Sequence, residues 1–309
     1  MEFTWVVVVR QADMSTSTVI GIVGGSGLYN LEGLGDQKWV KVESPFGSPS
    51  DELLTGRIGE QRVAFLPRHG RGHRIPPHEI NFAANIDAMK RVGVTSIVSV
   101  SAVGSLRADL PPGTFVLVDQ LIDRTLRQPK TFFGTGLVAH VSMGHPTCRR
   151  LIDHLAASST ALGLGAHKGG TYVVMEGPQF SSMAESELHR SFRADVIGMT
   201  NMPEAKLARE AEICYATVAM VTDFDCWHPD HDHVQVSDVI KVMHGNGENA
   251  RKLLTHVIPK IGADVGLCVH GCDRALEFAV MTAPEARDPE LVKKLDAVAG
   301  RVLRKGSVQ

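Results

Sequence analysis

The residues best suited to chemistry are two carboxylates one position apart, in Val218-Ala219-Met220-Val221-Thr222-Asp223-Phe224-Asp225-Cys226-Trp227. Paired carboxylic acids in a partly desolvated place can divide the work of proton donor and hydrogen-bond acceptor. Burial and mutual repulsion push at least one pKa up toward neutrality. The small and β-branched residues that precede them form the pattern of a strand buried on both faces, and ligands of α/β sheets bind at the carboxyl ends of such strands. If the strand persists through Asp225, both side chains face one cleft. Taken alone, an Asp-x-Asp is more often a strand running into a solvated loop.

Other stretches carry groups that hold anions. Pro67-Arg68-His69-Gly70-Arg71-Gly72-His73-Arg74 follows an apolar run, and arginine presents a rigid fork matching phosphate oxygens. It serves equally as a solvated basic loop. Gly24-Gly25-Ser26-Gly27 follows the apolar run 19–23, and successive backbone N–H groups in such a turn make an anion-binding concavity. Asn30 stands where the dinucleotide fingerprint needs glycine, and no Gly-Lys-Ser/Thr follows, which excludes a Rossmann turn and a Walker loop. Ser101-Ala102-Val103-Gly104 and Gly198-Met199-Thr200-Asn201 again put hydroxyls and glycine where apolar runs end. One polar loop means little. Several at one sheet edge describe a phosphate pocket with carboxylates beside it.

Such residues need strands that end together. Apolar runs predict strands over 19–23, 53–58, 62–66, 96–101, 114–121, 170–175, 195–199 and 214–222, with a hairpin turn at Gly59-Glu60. Helical periodicity predicts helices over 79–92, 149–162, 184–192, 204–212, 236–257 and 284–303. Strands interleaved with helices, without linker or repeat, give the expected fold class: α/β, a single domain with a central mixed β-sheet flanked by helices. The domain is expected over 18–309, with 1–17 an N-terminal extension or the product of a start before Met14.

The chain has 309 residues, 43% of them hydrophobic and 21% charged, with a net charge of −2. That balance offers no global field for nucleic acid or an anionic membrane, so an anionic ligand must be held by local groups. No apolar run approaches the roughly 20 residues of a membrane span. The five cysteines are few and odd in number, which suits free thiols in a reducing, cytoplasmic setting. Cys268-Val269-His270-Gly271-Cys272 lacks a second nearby pair with ligand spacing, so no metal is expected.

Seven ordered motifs, read together, resemble the trimeric purine nucleoside phosphorylase family, in its branch that cleaves methylthio-nucleosides. They are Gly-Ile-Val-Gly-Gly-Ser-Gly-Leu (21–28), Arg-His-Gly-Arg (68–71) with His73, Ser-Ala-Val-Gly-Ser-Leu-Arg (101–107), Ile-Asp-Arg-Thr (122–125), Glu-Gly-Pro-Gln-Phe-Ser-Ser (176–182), Gly-Met-Thr-Asn-Met-Pro-Glu (198–204) and Thr-Asp-Phe-Asp-Cys-Trp (222–227). The resemblance covers roughly residues 19–260.

The resemblance implies phosphate against Ser26, Arg68, His69, Ser101, Ala102 and Thr200. It implies ribose near Met199, the purine packed on Phe180, and Asp223 and Asp225 at the N7/N6 edge of adenine. A methylthio group would lie near His140, Val236 and Val239. The family usually carries Thr at the position of Ser26; Ser keeps the hydroxyl. The implied reaction is phosphate-dependent cleavage of 5′-methylthioadenosine, serving purine and methionine salvage, or a broader action on adenosine or inosine. Inorganic phosphate is then a co-substrate, no further cofactor is needed, and the implied assembly is a homotrimer.

Overall fold

The computed structural model describes residues 18–25, 28, 31–229, 236–264, 266 and 268–304. The expected N-terminal extension and Ser26 lie outside them, as does the side chain of Val236. The sheet has eleven strands among these residues: β1 (Val19–Gly24), β2 (Leu34–Val40), β3 (Leu53–Ile58), β4 (Gln61–Pro67), β5 (Val94–Ser105), β6 (Phe115–Val118), β7 (Gln120–Asp123), β8 (His167–Lys168), β9 (Thr171–Val174), β10 (Val196–Gly198) and β11 (Cys214–Asp223). The helices are α1 (Phe82–Arg91), α2 (Arg149–Ala161), α3 (Met183–Ser191), α4 (Asn201–Glu210), α5 (Val236–Ala263), α6 (Pro289–Lys294) and α7 (Gly300–Leu303).

Strand β5 is the axis. It pairs in parallel with β1 through Ser99 on one side and with β11 from Ser96 to Gly104 on the other. Near its end it turns to an antiparallel pairing with β10, Gly104 and Ser105 opposite Ile197 and Val196. Parallel, antiparallel and crossover pairings thus share one mixed sheet.

Alternation along β11 sends its side chains to two faces. Tyr215, Ala219 and Val221 enter a buried cluster with Ile86, Met89 and Leu207 of α1 and α4. Cys214, Ala216, Val218 and Met220 enter another with residues of α2 and α5. Helices therefore cover both faces of a single α/β domain, as expected.

Four elements differ from expectation. Strand β5 runs on to Ser105 instead of ending at residue 101, because β10 replaces β1 as its partner. The run 114–121 is two strands, β6 and β7, which pair with β11 and β9 respectively. The polar strand β2 lacks an apolar signal but is held by hairpin pairing to β3. The single helix expected over 284–303 is a short 3-10 turn followed by α6 and α7. Asp288 caps a new start there, accepting from the N–H groups of Glu290 and Leu291, with Pro289 in the first position.

Candidate active site

Thr222 and Asp223 end β11 in register with Gly104 of β5. The Asp223 carboxylate accepts from the Thr222 hydroxyl at 2.7 Å and from the Asp225 N–H at 2.8 Å. Gly104 leaves room for it: a Cβ there would lie 2.8 Å from Asp223 Oδ1. Burial is the main influence on this carboxyl and outweighs both hydrogen bonds, raising its pKa to about 6; the Asp225 charge adds a smaller push. A carboxyl at that value can hold a proton near neutral pH and give it up.

Asp225 does not continue the strand. Its φ is +53°, in the left-handed region, so the two carboxylates do not line one face as strand alternation predicts. Asp225 is buried at 4% exposure. Burial raises its pKa, opposed by the hydroxyls of Ser186 and Ser181 and by His189. Its Oδ2 lacks a hydrogen-bond partner. Its backbone orients Asp223, while its side chain faces the loop before α3 and α3 itself. Trp227 fixes the turn by donating from Nε1 to the Ser105 carbonyl at 2.7 Å.

The residues expected to hold an anion gather around the stretch of β5 between its two partners. β1 leaves after Ser99 and β10 joins at Gly104, so Ser101 and Ala102 have no neighbouring strand on that edge. Ser101 Oγ is buried without a partner, as are Thr200 Oγ1 and the Tyr172 hydroxyl. Thr200 precedes α4 but makes no side-chain cap bond. The Tyr172 hydroxyl lies within interaction range of both others. Three orphaned hydroxyls in one place, each costing about 1–3 kcal/mol, are what an anion site retains for its ligand.

His69 donates from Nδ1 to the Ile75 carbonyl at 2.9 Å. Burial, with the Arg68 charge beside it, lowers its pKa to about 4. The ring is neutral at pH 7, and its Nε2 is then an acceptor suited to a protonated phosphate oxygen.

Arg68 turns inward. It is 1% exposed and donates to both Glu204 oxygens (2.8 and 3.1 Å), to the Val100 and Val23 carbonyls and to Ser99 Oγ. Glu204 also accepts from Ser99 and Tyr215. A guanidinium has five N–H donors, and these bonds leave one, on Nη1. The open fork expected for a phosphate clamp is thus largely spent on tying β4, β5 and α4 together.

Of the residues expected to hold the nucleoside, Met199 is half-buried and Phe180 stands 46% exposed on the loop before α3. Val239 is half-buried on α5, whereas His140 is exposed and bonded through its N–H to the Ala279 carbonyl. Sequence reasoning missed Arg127, which is buried and donates to the carbonyls of Pro77, Met175, Glu176 and Met199. It pins Met199 to the 176–177 turn. Nothing local distinguishes a loop arginine of this kind. Tyr172 was hidden likewise, as one aromatic in a core strand. Two cavities, of about 230 Å³ beside Phe46 and Arg127 and about 810 Å³ beside Arg91 and Asp288, lie away from Asp223 and the orphaned hydroxyls.

Comparison with known proteins gives the chain its relatives. The S-methyl-5'-thioadenosine phosphorylase of Cereibacter sphaeroides is 58% identical over 287 residues, 93% of this chain and 99% of the relative. That of Bradyrhizobium diazoefficiens is 58% identical over 94% of this chain and 99% of its own length. A methylthioadenosine phosphorylase crystal structure from an antarctic soil metagenomic library superposes with a TM-score of 0.87 at 46% identity, covering 91% of this chain and 99% of that one. The Schistosoma mansoni enzyme in complex with adenine gives a TM-score of 0.75 at 36% identity, with 80% and 93% covered. Residues 19–259 match the model of the phosphorylase superfamily, and the chain belongs to that family.

Proposed function

We propose that the chain catalyses phosphate-dependent cleavage of 5′-methylthioadenosine to adenine and 5-methylthioribose 1-phosphate. The observation that carries this reading is the Asp223 carboxyl, raised to about 6, at the same sheet edge as the orphaned hydroxyls of Ser101, Thr200 and Tyr172. Breaking a C–N glycosidic bond builds positive charge on the sugar and negative charge on the departing purine. The hydroxyls and His69 hold phosphate beneath C1′, where its charge stabilises the sugar cation before it attacks. Asp223 gives its proton, or a strong hydrogen bond, to purine N7. About a tenth of the groups carry that proton at pH 7.

A carboxylate at this position accepts from a 6-amino group and opposes the lone pairs of a 6-oxo group. That favours adenine by roughly 1–3 kcal/mol. In this reading Phe180 and Met199 serve the base and ribose, and Val239 the apolar methylthio group. Exposed Val138, Phe278 and Met281 beside the bonded His140 and Ala279 segments support burial of that surface between subunits, and the reading includes a homotrimer in the cytoplasm. None of the described helices is long and apolar enough to cross a membrane.

The test is adenine release from methylthioadenosine with and without phosphate, with adenosine and methylthioinosine alongside. Phosphate-dependent release that is fastest with methylthioadenosine is expected. Equal rates without phosphate would make the chain a hydrolase and overturn the anion site. Faster adenosine cleavage would favour the broader nucleoside reading.

A further inference from the structure

Four of the five cysteines meet at one point, at the opposite end of β11 from Asp223. Cys148 precedes α2, Cys214 opens β11, and Cys268 and Cys272 flank a turn after α5. Their four sulfurs all lie within 4.8 Å of one another, and Cys148 and Cys268 are 3.6 Å apart. Zinc–thiolate bonds of about 2.3 Å place the corners of a tetrahedron about 3.8 Å apart. Each of the four residues is at most 1% exposed. The second pair that the sequence lacked nearby is thus supplied by Cys148 and Cys214, from other elements.

The surroundings are built to hold this arrangement. Gly271 takes φ +63° and donates to the Cys268 carbonyl at 2.9 Å, closing the Cys-x-x-x-Cys turn. The Cys148 N–H donates to the Tyr215 carbonyl at 2.7 Å, fixing the start of α2 against β11. Arg150 brings Nη2 to 3.9 Å from Cys214 Sγ, and its Nε is buried without a partner. A guanidinium directed into neutral thiols gains little, whereas one beside thiolates offsets their charge. An isolated buried cysteine is an ordinary small apolar residue. Four sulfurs converging from three segments, with a guanidinium beside them, are not.

We propose that Cys148, Cys214, Cys268 and Cys272 form a structural tetrathiolate site for one zinc ion. Binding releases four protons as four Zn–S bonds form, and no electrons move. All four positions belong to the protein, so the ion has no place for water and does no chemistry. The sulfurs are too close together to bracket a multi-iron cluster, and an S₄ set of this size suits a single tetrahedral ion such as zinc. The ion joins the turn at 268–272 to the start of β11 and of α2. It anchors the C-terminal segment to the strand that carries Asp223.

The test is metal analysis of the full chain purified under reducing conditions, with cobalt(II) added to chelator-stripped protein. About one zinc per chain is expected, and cobalt should give thiolate-to-metal charge-transfer bands with the visible bands of a tetrahedral site. Cys272→Ser should lower zinc retention at least tenfold, while Cys226→Ser keeps it. If Cys272→Ser does not fold, the cobalt spectrum of the intact chain decides. Less than about a tenth of an equivalent of zinc with no cobalt–thiolate bands overturns the proposal, as does a disulfide among the four found by non-reducing peptide mapping.

Discussion

Strand β11 starts in one buried polar cluster and ends in another, about 30 Å apart at roughly 3.3 Å per residue. At its start, Cys214 joins three other thiols that are closed off from solvent. At its end, Asp223 faces an edge where Ser101, Thr200 and Tyr172 keep unpaired hydroxyls. The first cluster has its full set of ligating atoms within the chain. The second is left short of partners by the chain itself, as the proposed reading requires of groups that wait for substrates. A polar group closed on all sides by the protein holds the fold together. A polar group left unsatisfied at an open strand end costs stability and is kept for chemistry.

The sharpest way to break this contrast is Asp223→Asn. An amide cannot donate the N7 proton, so turnover of methylthioadenosine should fall about 10²–10⁴-fold. Its Nδ2 can instead donate to a 6-oxo group, so the relative rate with methylthioinosine should rise. Steady-state kinetics on both substrates checks it. An unchanged ratio would remove the base-reading role from Asp223.

Glu204→Gln probes a group at the active edge that is satisfied internally. It strips the Arg68 guanidinium of its buried countercharge, 2% and 1% exposed in the two side chains. The expected loss is about 3–5 kcal/mol in denaturant unfolding. Arg68→Lys should not rescue the fork geometry, since an ammonium cannot reproduce the bidentate contact.

Ser101→Ala and Thr200→Val test the orphans. Phosphate KM should rise about 5- to 150-fold, the equivalent of 1–3 kcal/mol. The unfolding midpoint should stay level or increase, because a buried unpaired hydroxyl is being removed. A variant that loses stability without losing phosphate affinity would mean that the hydroxyl belongs to the fold.

Much of this edge is legible in the sequence because strands buried on both faces announce themselves, and the polar residues after them stand out. Asp223, Ser101 and Thr200 draw attention that way. Asp225 is not placed correctly, since nothing in Asp-Phe-Asp marks a positive φ. Arg68 reads from sequence as either a phosphate clamp or a solvated loop residue, but its partner Glu204 is 136 positions away, and only the fold reveals that the guanidinium is already occupied. The cysteine cluster fails for the same reason. Cys148 and Cys268 are 120 positions apart, and pattern reading looks for ligands in nearby pairs. Local periodicity reports which face of an element is buried, not which distant side chain meets it there.

The smallest effect bears most directly on the contrast. Asp223 has its pKa raised from 3.8 to about 6 on folding, so its contribution favours the folded chain below pH 3.8. That contribution is lost as pH rises through about 6, where the buried carboxyl must ionise. Asn at this position does not titrate. Unfolding free energies of wild type and Asp223→Asn, measured from pH 4 to 8, should therefore diverge across that window. By pH 7.5 the variant should be the more stable, on the order of 1–2 kcal/mol once the partly exposed position is allowed for. The inactive variant would then be the sturdier protein, as expected where a proton is held for chemistry at the expense of the fold. Parallel curves would mean that the carboxyl is not strained by burial, and the proton for N7 would have to come from elsewhere.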